Sequence, residues 1–499
     1  MKLISFRGDH VKGQFLGKTA GVQRRVNLDP GDLDHPLGDF WFTRRHADPA
    51  VEAAKRAFPK WRDLGERRRA GYLASFYRTV SSRREELARL ITRQMGKPLW
   101  ESESEVSRFL DRIQLTRTDA PKFLQAYTVK MEGALRGRCR YKPRGVMAVL
   151  GPFNFPAHLP GGQILPALLL GNTVVFKPSE LTPLVGQFIA ECWKAVGLPP
   201  GVFNLIQGDG TVGKEIILHP DVKGILFTGS RATGLAIQEL LARQPEKLVA
   251  LEMGGKNAAI VLADAPLDLA VRECLIGAFS MAGQRCNATS RILLHRKIAE
   301  PFLDRFCKGV DTIRVGYGLD ENVFMGPLVS EAAMKRYLTR LQEASGEGVE
   351  MVRSPRPLWT SRKGFYVSPS VGLVRGPSRV FSSYIKGELF GPNVAVLLID
   401  SLEEAIALNN ATPYGLVVSI FTKDRRKFEK AFQGCENGLV HWNVSTIRSS
   451  ARLPFGGVKG SGNDRPAGYF APYFCTVPVA SLEARGSAFS PKKLPGISL

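Results

Sequence analysis

The chain changes its hydrophobic rhythm as it runs. Over residues 48–126 apolar positions recur at helical spacing, with Ala53, Ala54, Ala57 and Phe58 following an Asp48-Pro49-Ala50 start. Asn, Gly and Pro are sparse until Gly96-Lys97-Pro98, which predicts a helix break there. Residues 1–45 read as short strands and turns, and residues 127–145 as a β-hairpin turning near Glu132-Gly133. From 145 onward short β-rich runs (Val146–Leu150, 173–176, 202–205 and 224–227) alternate with helical segments such as 182–195 and Gly210–Leu218. That alternation predicts a parallel α/β sheet with right-handed crossovers, the 48–126 helices covering one face. A second α/β unit follows over 255–460, with strands at 258–262 and Arg291–His295 and an amphipathic stretch at 331–345.

Length and composition bound this picture. At 499 residues, 44% of them hydrophobic, the chain is too long for one core and ordinary for a soluble protein of two or three domains. No apolar run is long enough to span a membrane; the longest, near 164–170, reads as a strand or short helix. The first residues carry no apolar core of secretory length. Seven widely spread cysteines without CxxC or metal-ligand spacing point to a reducing cytoplasm and to no metal. The 69 Lys+Arg against 46 Asp+Glu give a net charge of +23, with clusters at Arg67-Arg68-Arg69, Arg83-Arg84, 136–144 and Arg425-Arg426. Three readings fit: a solvated basic surface, attraction of an anionic substrate and cofactor, or weak nucleic-acid binding. The clusters lack interleaved aromatics, which disfavours the last.

The chemistry concentrates between Glu252 and Cys286. The apolar run Leu248-Val249-Ala250-Leu251 reads as a buried strand that delivers Glu252 to Met253-Gly254-Gly255, where paired glycines permit a sharp turn or close ligand approach. A helix predicted over 270–282 then delivers Gly283-Gln284-Arg285-Cys286. A cysteine can serve as nucleophile and a carboxylate as the base that activates water; the bland alternative is a buried thiol and a solvated carboxylate. Arg285 and the local helix end are expected to lower the thiol pKa. None of the seven histidines stands in a motif relation to Cys286, which argues against a cysteine hydrolase. Two glycine patterns compete for a pyrophosphate. Gly208-Asp209-Gly210-Thr211-Val212-Gly213 matches GxGxxG but carries an acid inside the loop. Phe227-Thr228-Gly229-Ser230 ends a strand and opens a helix, whose N-terminus suits phosphate.

These two segments, at this separation, resemble the active-site segments of the aldehyde dehydrogenase superfamily. Other motifs follow that family's order: Gly151-Pro152-Phe153-Asn154-Phe155-Pro156, Lys177-Pro178-Ser179-Glu180, Phe227-Thr228-Gly229-Ser230, Glu388-Leu389-Phe390-Gly391-Pro392 and Pro454-Phe455-Gly456-Gly457. The resemblance spans about residues 50–480 and implies an aldehyde dehydrogenase-like α/β fold. It implies a Rossmann-type NAD-binding domain over 1–126 and 146–254, a catalytic domain over 255–460, and an oligomerisation hairpin and strand at 127–145 and 470–488, the strand near 474–481. It further implies that Cys286 is the nucleophile, Glu252 the base for water, and Asn154 with the Cys286 N–H the oxyanion donors. Lys177 and Glu180 would hold the adenosine ribose, Glu180 favouring NAD over NADP. Gly229 and Ser230 would meet the pyrophosphate, with Arg231 as an added contact or merely solvated. Glu388 and Phe390 would orient the nicotinamide end, and Phe455 would flank the substrate tunnel. Phe153 and Gln163 depart from the Trp and Lys that many relatives carry.

Several segments are similar to one subfamily, the succinylglutamate-semialdehyde dehydrogenases: 151–160, Gln244-Pro245-Glu246-Lys247, and the tail Gly462-Asn463-Asp464-Arg465-Pro466-Ala467 through Glu483. Lys256 departs from the Asn that subfamily can carry. The implied substrate bears two carboxylates, for which Arg448, Arg452 and His158 are candidate partners. A homodimer or homotetramer is the implied assembly. The alternatives are another aldehyde dehydrogenase, for glutamate semialdehyde or an aliphatic aldehyde, and a binding protein with a vestigial site.

Overall fold

A computed structural model describes residues 5–19, 21–131, 135–376, 382–463, 465, 467–484 and 495–496. The fold is α/β, built on two seven-stranded sheets. The first runs Leu248–Glu252, Val222–Thr228, Val146–Leu150, Thr173–Lys177 and Phe203–Leu205 in parallel, then adds Asp9–Val11 and Gln14–Leu16 antiparallel at its edge. Its central strands are buried along their whole length, because crossover helices cover both faces. The second sheet orders Val349–Arg353, Ser370–Val374, Asn393–Ile399, Arg291–His295, Ala258–Val261, Val417–Phe421 and Leu439–Trp442; its first strand is antiparallel and the rest parallel.

The helical region folds as Ala47–Asp63, Glu66–Ser82, Arg84–Met95 and Leu99–Phe123, with Gly96 left-handed at φ 89° where the break was expected. Strands Tyr127–Lys130, Leu135–Pro143 and Thr476–Ala484 form a separate antiparallel sheet with Leu135–Pro143 in the middle. The expected turn at Glu132-Gly133 and residues 485–488 of the expected C-terminal strand segment lie outside the described residues. The apolar run near 164–170 is the buried end of helix His158–Leu169. The helix expected over 270–282 is instead Leu267–Phe279. It stops because Met281, Ala282 and Gly283 are all left-handed, at φ 53°, 52° and 66°. No helix among the described residues is long and apolar enough to cross a membrane.

Candidate active site

Parallel-strand register gathers the chemistry along one sheet edge. Leu150 pairs with Lys177 and with Phe227, and Thr228 pairs with Glu252, so the Asn154 loop, Lys177, Gly229 and Glu252 all follow carboxyl ends of adjacent strands. That is where open α/β sheets bind ligands. Ser230 caps the helix Arg231–Leu241, its hydroxyl accepting from the Thr233 N–H. Asp209 caps the competing helix Gly210–Leu218 and pairs with Arg25 at 2.8 Å. The acidic glycine loop therefore already spends its carboxylate within the protein.

Two cavities meet at Cys286. One, of about 730 Å³, is a groove lined by Lys177, Glu180, Gly229, Ser230, Glu252, Glu388, Phe390 and Asn154. The other, of about 480 Å³, is lined by His158, Arg452 and Phe455 among others. Cys286 and Leu159 line both. Arg448 does not line the second cavity: its exposed guanidinium sits 3.8 Å from the Glu273 carboxylate. Arg452 stands at the rim, exposed and 3.9 Å from Asp119. His158 is brought into the cavity of Cys286, a juxtaposition the sequence spacing did not show. Burial first, then the charges of Arg112, Arg108 and Lys97, hold its imidazole well below the usual pKa, and so neutral.

The side-chain amide of Asn154 is fixed at both ends. Its Oδ1 accepts from the Phe155 N–H and its Nδ2 donates to the Gln284 carbonyl at 3.0 Å. One N–H of that amide is used by Gln284, and Asn154 and Cys286 line the same groove. Glu252 is buried with neither carboxylate oxygen hydrogen-bonded, and burial pushes its pKa up to about 8. Burial also raises the Cys286 thiol well above its ordinary value, with further upward pressure from Glu252 and Glu388. This corrects the expected thiol activation. Arg285 does pull the pKa down, but more weakly than burial raises it, and its guanidinium is turned to Glu101 at 3.0 Å.

Under the site lies a buried ionic frame that sequence reading missed. Lys97 pairs with Glu105 and donates to the Asn154 carbonyl at 3.0 Å; Glu105 in turn accepts from the N–H groups of Ala157 and His158. Glu101 accepts from the Met281 N–H at 2.9 Å and pairs with Arg285. One helix start thus clamps both the Asn154 loop and the left-handed turn before Cys286. Each non-glycine residue in that turn costs about 1–2 kcal/mol, which the clamp offsets. Gln284 helps from inside, accepting from the Val329 N–H and donating to the Pro327 and Met281 carbonyls.

The groove suits a dinucleotide on its own features. A capped helix N-terminus faces a Lys177–Glu180 pair (3.7 Å), and Glu388 stands at the other end, its Oε1 accepting from the Gly255 N–H at 3.0 Å. Any side chain at Gly254 would collide with the Glu388 carboxylate. Phe390 meets Phe153 edge-on at 5.7 Å, and Gln163 donates to Thr228 Oγ1 at 3.2 Å. Arg336 and Tyr414 also line this groove, and sequence reading passed over both. Lys256 is buried without a hydrogen-bond partner, 5.1 Å from the Tyr384 ring, and burial lowers its pKa to about 7. Outside both cavities, Glu52, His219 and Asp221 form a carboxylate–imidazole trio that is paired with Lys55, 2.9 Å from Asp221, and with Arg56, 3.7 Å from Glu52.

A sheet edge of this kind, with a thiol where two cavities meet and an unpartnered buried carboxylate, defines a class that comparison makes definite: the chain belongs to the aldehyde dehydrogenase family, whose profile matches residues 40–477. Within it, the chain is similar to proteins named N-succinylglutamate 5-semialdehyde dehydrogenase. The one from Legionella pneumophila (strain Corby) is 34% identical, with 100% of this chain and 99% of the relative covered. The one from Erwinia tasmaniensis is 38% identical, with 90% of each covered. Among solved structures, an NAD-dependent aldehyde dehydrogenase from Sinorhizobium meliloti superposes with a TM-score of 0.92 at 27% identity, covering 99% of this chain and 97% of that one.

Proposed function

We propose that this enzyme oxidises N-succinyl-L-glutamate 5-semialdehyde to N-succinyl-L-glutamate, with NAD as acceptor, through a thioester on Cys286. As a family member the chain is an NAD-dependent aldehyde oxidoreductase; the substrate and the residue roles are the proposal. One observation supports the roles: Cys286 lines both cavities, which we read as the dinucleotide groove and the aldehyde pocket.

Cys286 Sγ bonds to the aldehyde carbon as the thiol proton passes to solvent and the carbonyl π bond opens onto oxygen. The carbonyl oxygen gains charge and accepts from the side-chain amide of Asn154 and the backbone N–H of Cys286. NAD, if bound along the groove, would supply a two-electron acceptor. Lys177 and Glu180 would hold its adenosine ribose, Gly229 and Ser230 its pyrophosphate, and Glu388 and Phe390 its nicotinamide end. Cys286 then carries the acyl group as a thioester. Glu252 takes a proton from water, the hydroxide adds to the thioester carbon, and the acid leaves with Cys286 restored. A Glu252 with no hydrogen-bond partner is free to receive that proton.

The substrate reading draws on the similarity to the Legionella and Erwinia proteins and on a cavity with arginine in its wall. We also read the first sheet with its helices as the NAD-binding part and the second as the catalytic part. The sheet Tyr127–Lys130, Leu135–Pro143 and Thr476–Ala484 is the subunit contact of a homodimer or homotetramer, and the cytoplasm is the compartment. The deciding assay is NADH formation from N-succinylglutamate semialdehyde, glutamate semialdehyde and a simple aliphatic aldehyde, with Cys286→Ala as control. Preference for the succinylated substrate, abolished in the variant, is expected. Activity confined to the other two would discard the substrate and keep the mechanism.

A further inference from the structure

We propose that Arg112, with Arg108 one helical turn before it, forms a carboxylate-binding subsite in the wall of the aldehyde cavity, which rests on the aldehyde-oxidising reading of Cys286 above. Both residues lie on the helix Leu99–Phe123, four apart and so on one face, and both line the cavity that reaches Cys286. Arg112 is 9% exposed. Its Nε is buried without a hydrogen-bond partner, and Nη1 makes one long bond, 3.4 Å, to the Ala451 carbonyl. Among the described residues no carboxylate pairs with it. Burial alone lowers its pKa, to about 10, so the guanidinium stays charged at neutral pH.

A desolvated, uncompensated cation is costly unless an anion completes it. Two other cations of the cavity are answered from within the protein. Arg285 is paired with Glu101, and Arg452 faces Asp119 at the rim. Arg108 is exposed and adds a second positive charge one turn away. Asp111 also lines the cavity but is exposed, so solvent screens it. The planar fork of Arg112, with donors unused, matches a carboxylate in two parallel hydrogen bonds. The ligand class is therefore an aldehyde bearing a carboxylate away from its reacting end, and a cavity of about 480 Å³ is ample for one. Arg112, rather than Arg448 or Arg452, sets that preference.

The test measures kcat/KM for N-succinyl-L-glutamate 5-semialdehyde, 5-oxopentanoate and the neutral pentanal in wild type, Arg112→Met, Arg112→Lys and Arg108→Met. Calorimetric binding of N-succinyl-L-glutamate accompanies it. Arg112→Met is expected to lower the carboxylated-to-neutral ratio about 100-fold, the scale of charge-assisted hydrogen bonds, chiefly through KM. The Kd of N-succinyl-L-glutamate should rise in step. Arg112→Lys should recover part of the ratio, which a merely structural role for the side chain would not produce. Arg108→Met should lower the ratio by about fivefold, as a screened charge does. An unchanged ratio in Arg112→Met, or an equal loss on pentanal, overturns the subsite. So does a wild type that treats all three aldehydes alike. Preference for 5-oxopentanoate over the succinylated aldehyde, still lost in Arg112→Met, would retire the substrate proposed above and uphold the subsite. An enzyme that oxidised none of the three would retire the aldehyde reading, and the calorimetric Kd values would then decide the subsite alone.

Discussion

The two cavities that meet at Cys286 are built on opposite principles. The groove is made of strand ends and the turns that follow them: Gly151 to Asn154, Lys177 to Glu180, Thr228 to Ser230, Glu252 to Gly254. Each contribution is local, and parallel pairing aligns them. The aldehyde cavity is assembled from the middle of a long helix, a helix start at His158 and a loop over residues 447–455. Its chemistry depends on which face of the helix turns inward. The groove is thus set mainly by backbone, the cavity mainly by side chains. Substitutions on one side should change selectivity there alone, while those at the junction should affect every substrate.

The largest effect is expected at the junction. Glu252→Gln should slow turnover by ~10²–10⁴-fold, the range for losing a positioned base. Acyl-enzyme should accumulate, visible as added mass on the Cys286 peptide in rapid-quench samples. Only the deprotonated carboxylate can take a proton from water, and burial lifts its pKa to about 8. Wild-type deacylation should therefore rise with pH through about 8, and the Gln variant should be flat there. A variant turning over normally on any aldehyde would remove Glu252 from the mechanism.

Asn154→Ala comes next. One lost oxyanion donor costs roughly 10²–10³ in rate, and single-turnover kinetics should place the loss in acylation for charged and neutral aldehydes alike. A loss confined to carboxylated aldehydes would break the comparison by making Asn154 part of the substrate wall.

The smallest effect belongs to the groove. Glu180→Gln should raise the ratio of NADP to NAD efficiency by about tenfold or less, because one partly exposed charge acts through solvent. The aldehyde preference should not follow it. If both ratios move together, the two cavities are not independent.

The same contrast explains what could be read in advance. Glu252, Cys286, Asn154, Lys177, Glu180 and Glu388 sit in short motifs that resemble the family's, so the lining of the groove was legible. Arg112 was not. In sequence it is one of three arginines on its helix, and only the fold, which brings Ala451 from 339 residues away against it, shows that it is buried. The four-residue spacing to Arg108 was the one available signal. Arg448 was chosen for its proximity to Pro454-Phe455 in sequence; its side chain stands 3.8 Å from the Glu273 carboxylate. The helix before Cys286 was drawn too long for a similar reason. Apolar periodicity continues through Ala282, but the backbone there reverses hand under restraint from Glu101 and Gln284.

The helix Leu99–Phe123 gives that restraint a wider meaning. Its first two turns, through Glu101 and Glu105, hydrogen-bond the segments that carry Asn154 and Cys286; the next two, through Arg108 and Arg112, line the cavity beside Cys286. Reactivity and taste are thus written at separate addresses on one rigid rod. A lineage can exchange side chains in the later turns and inherit a new diet, while the earlier turns pass on the working chemistry unaltered.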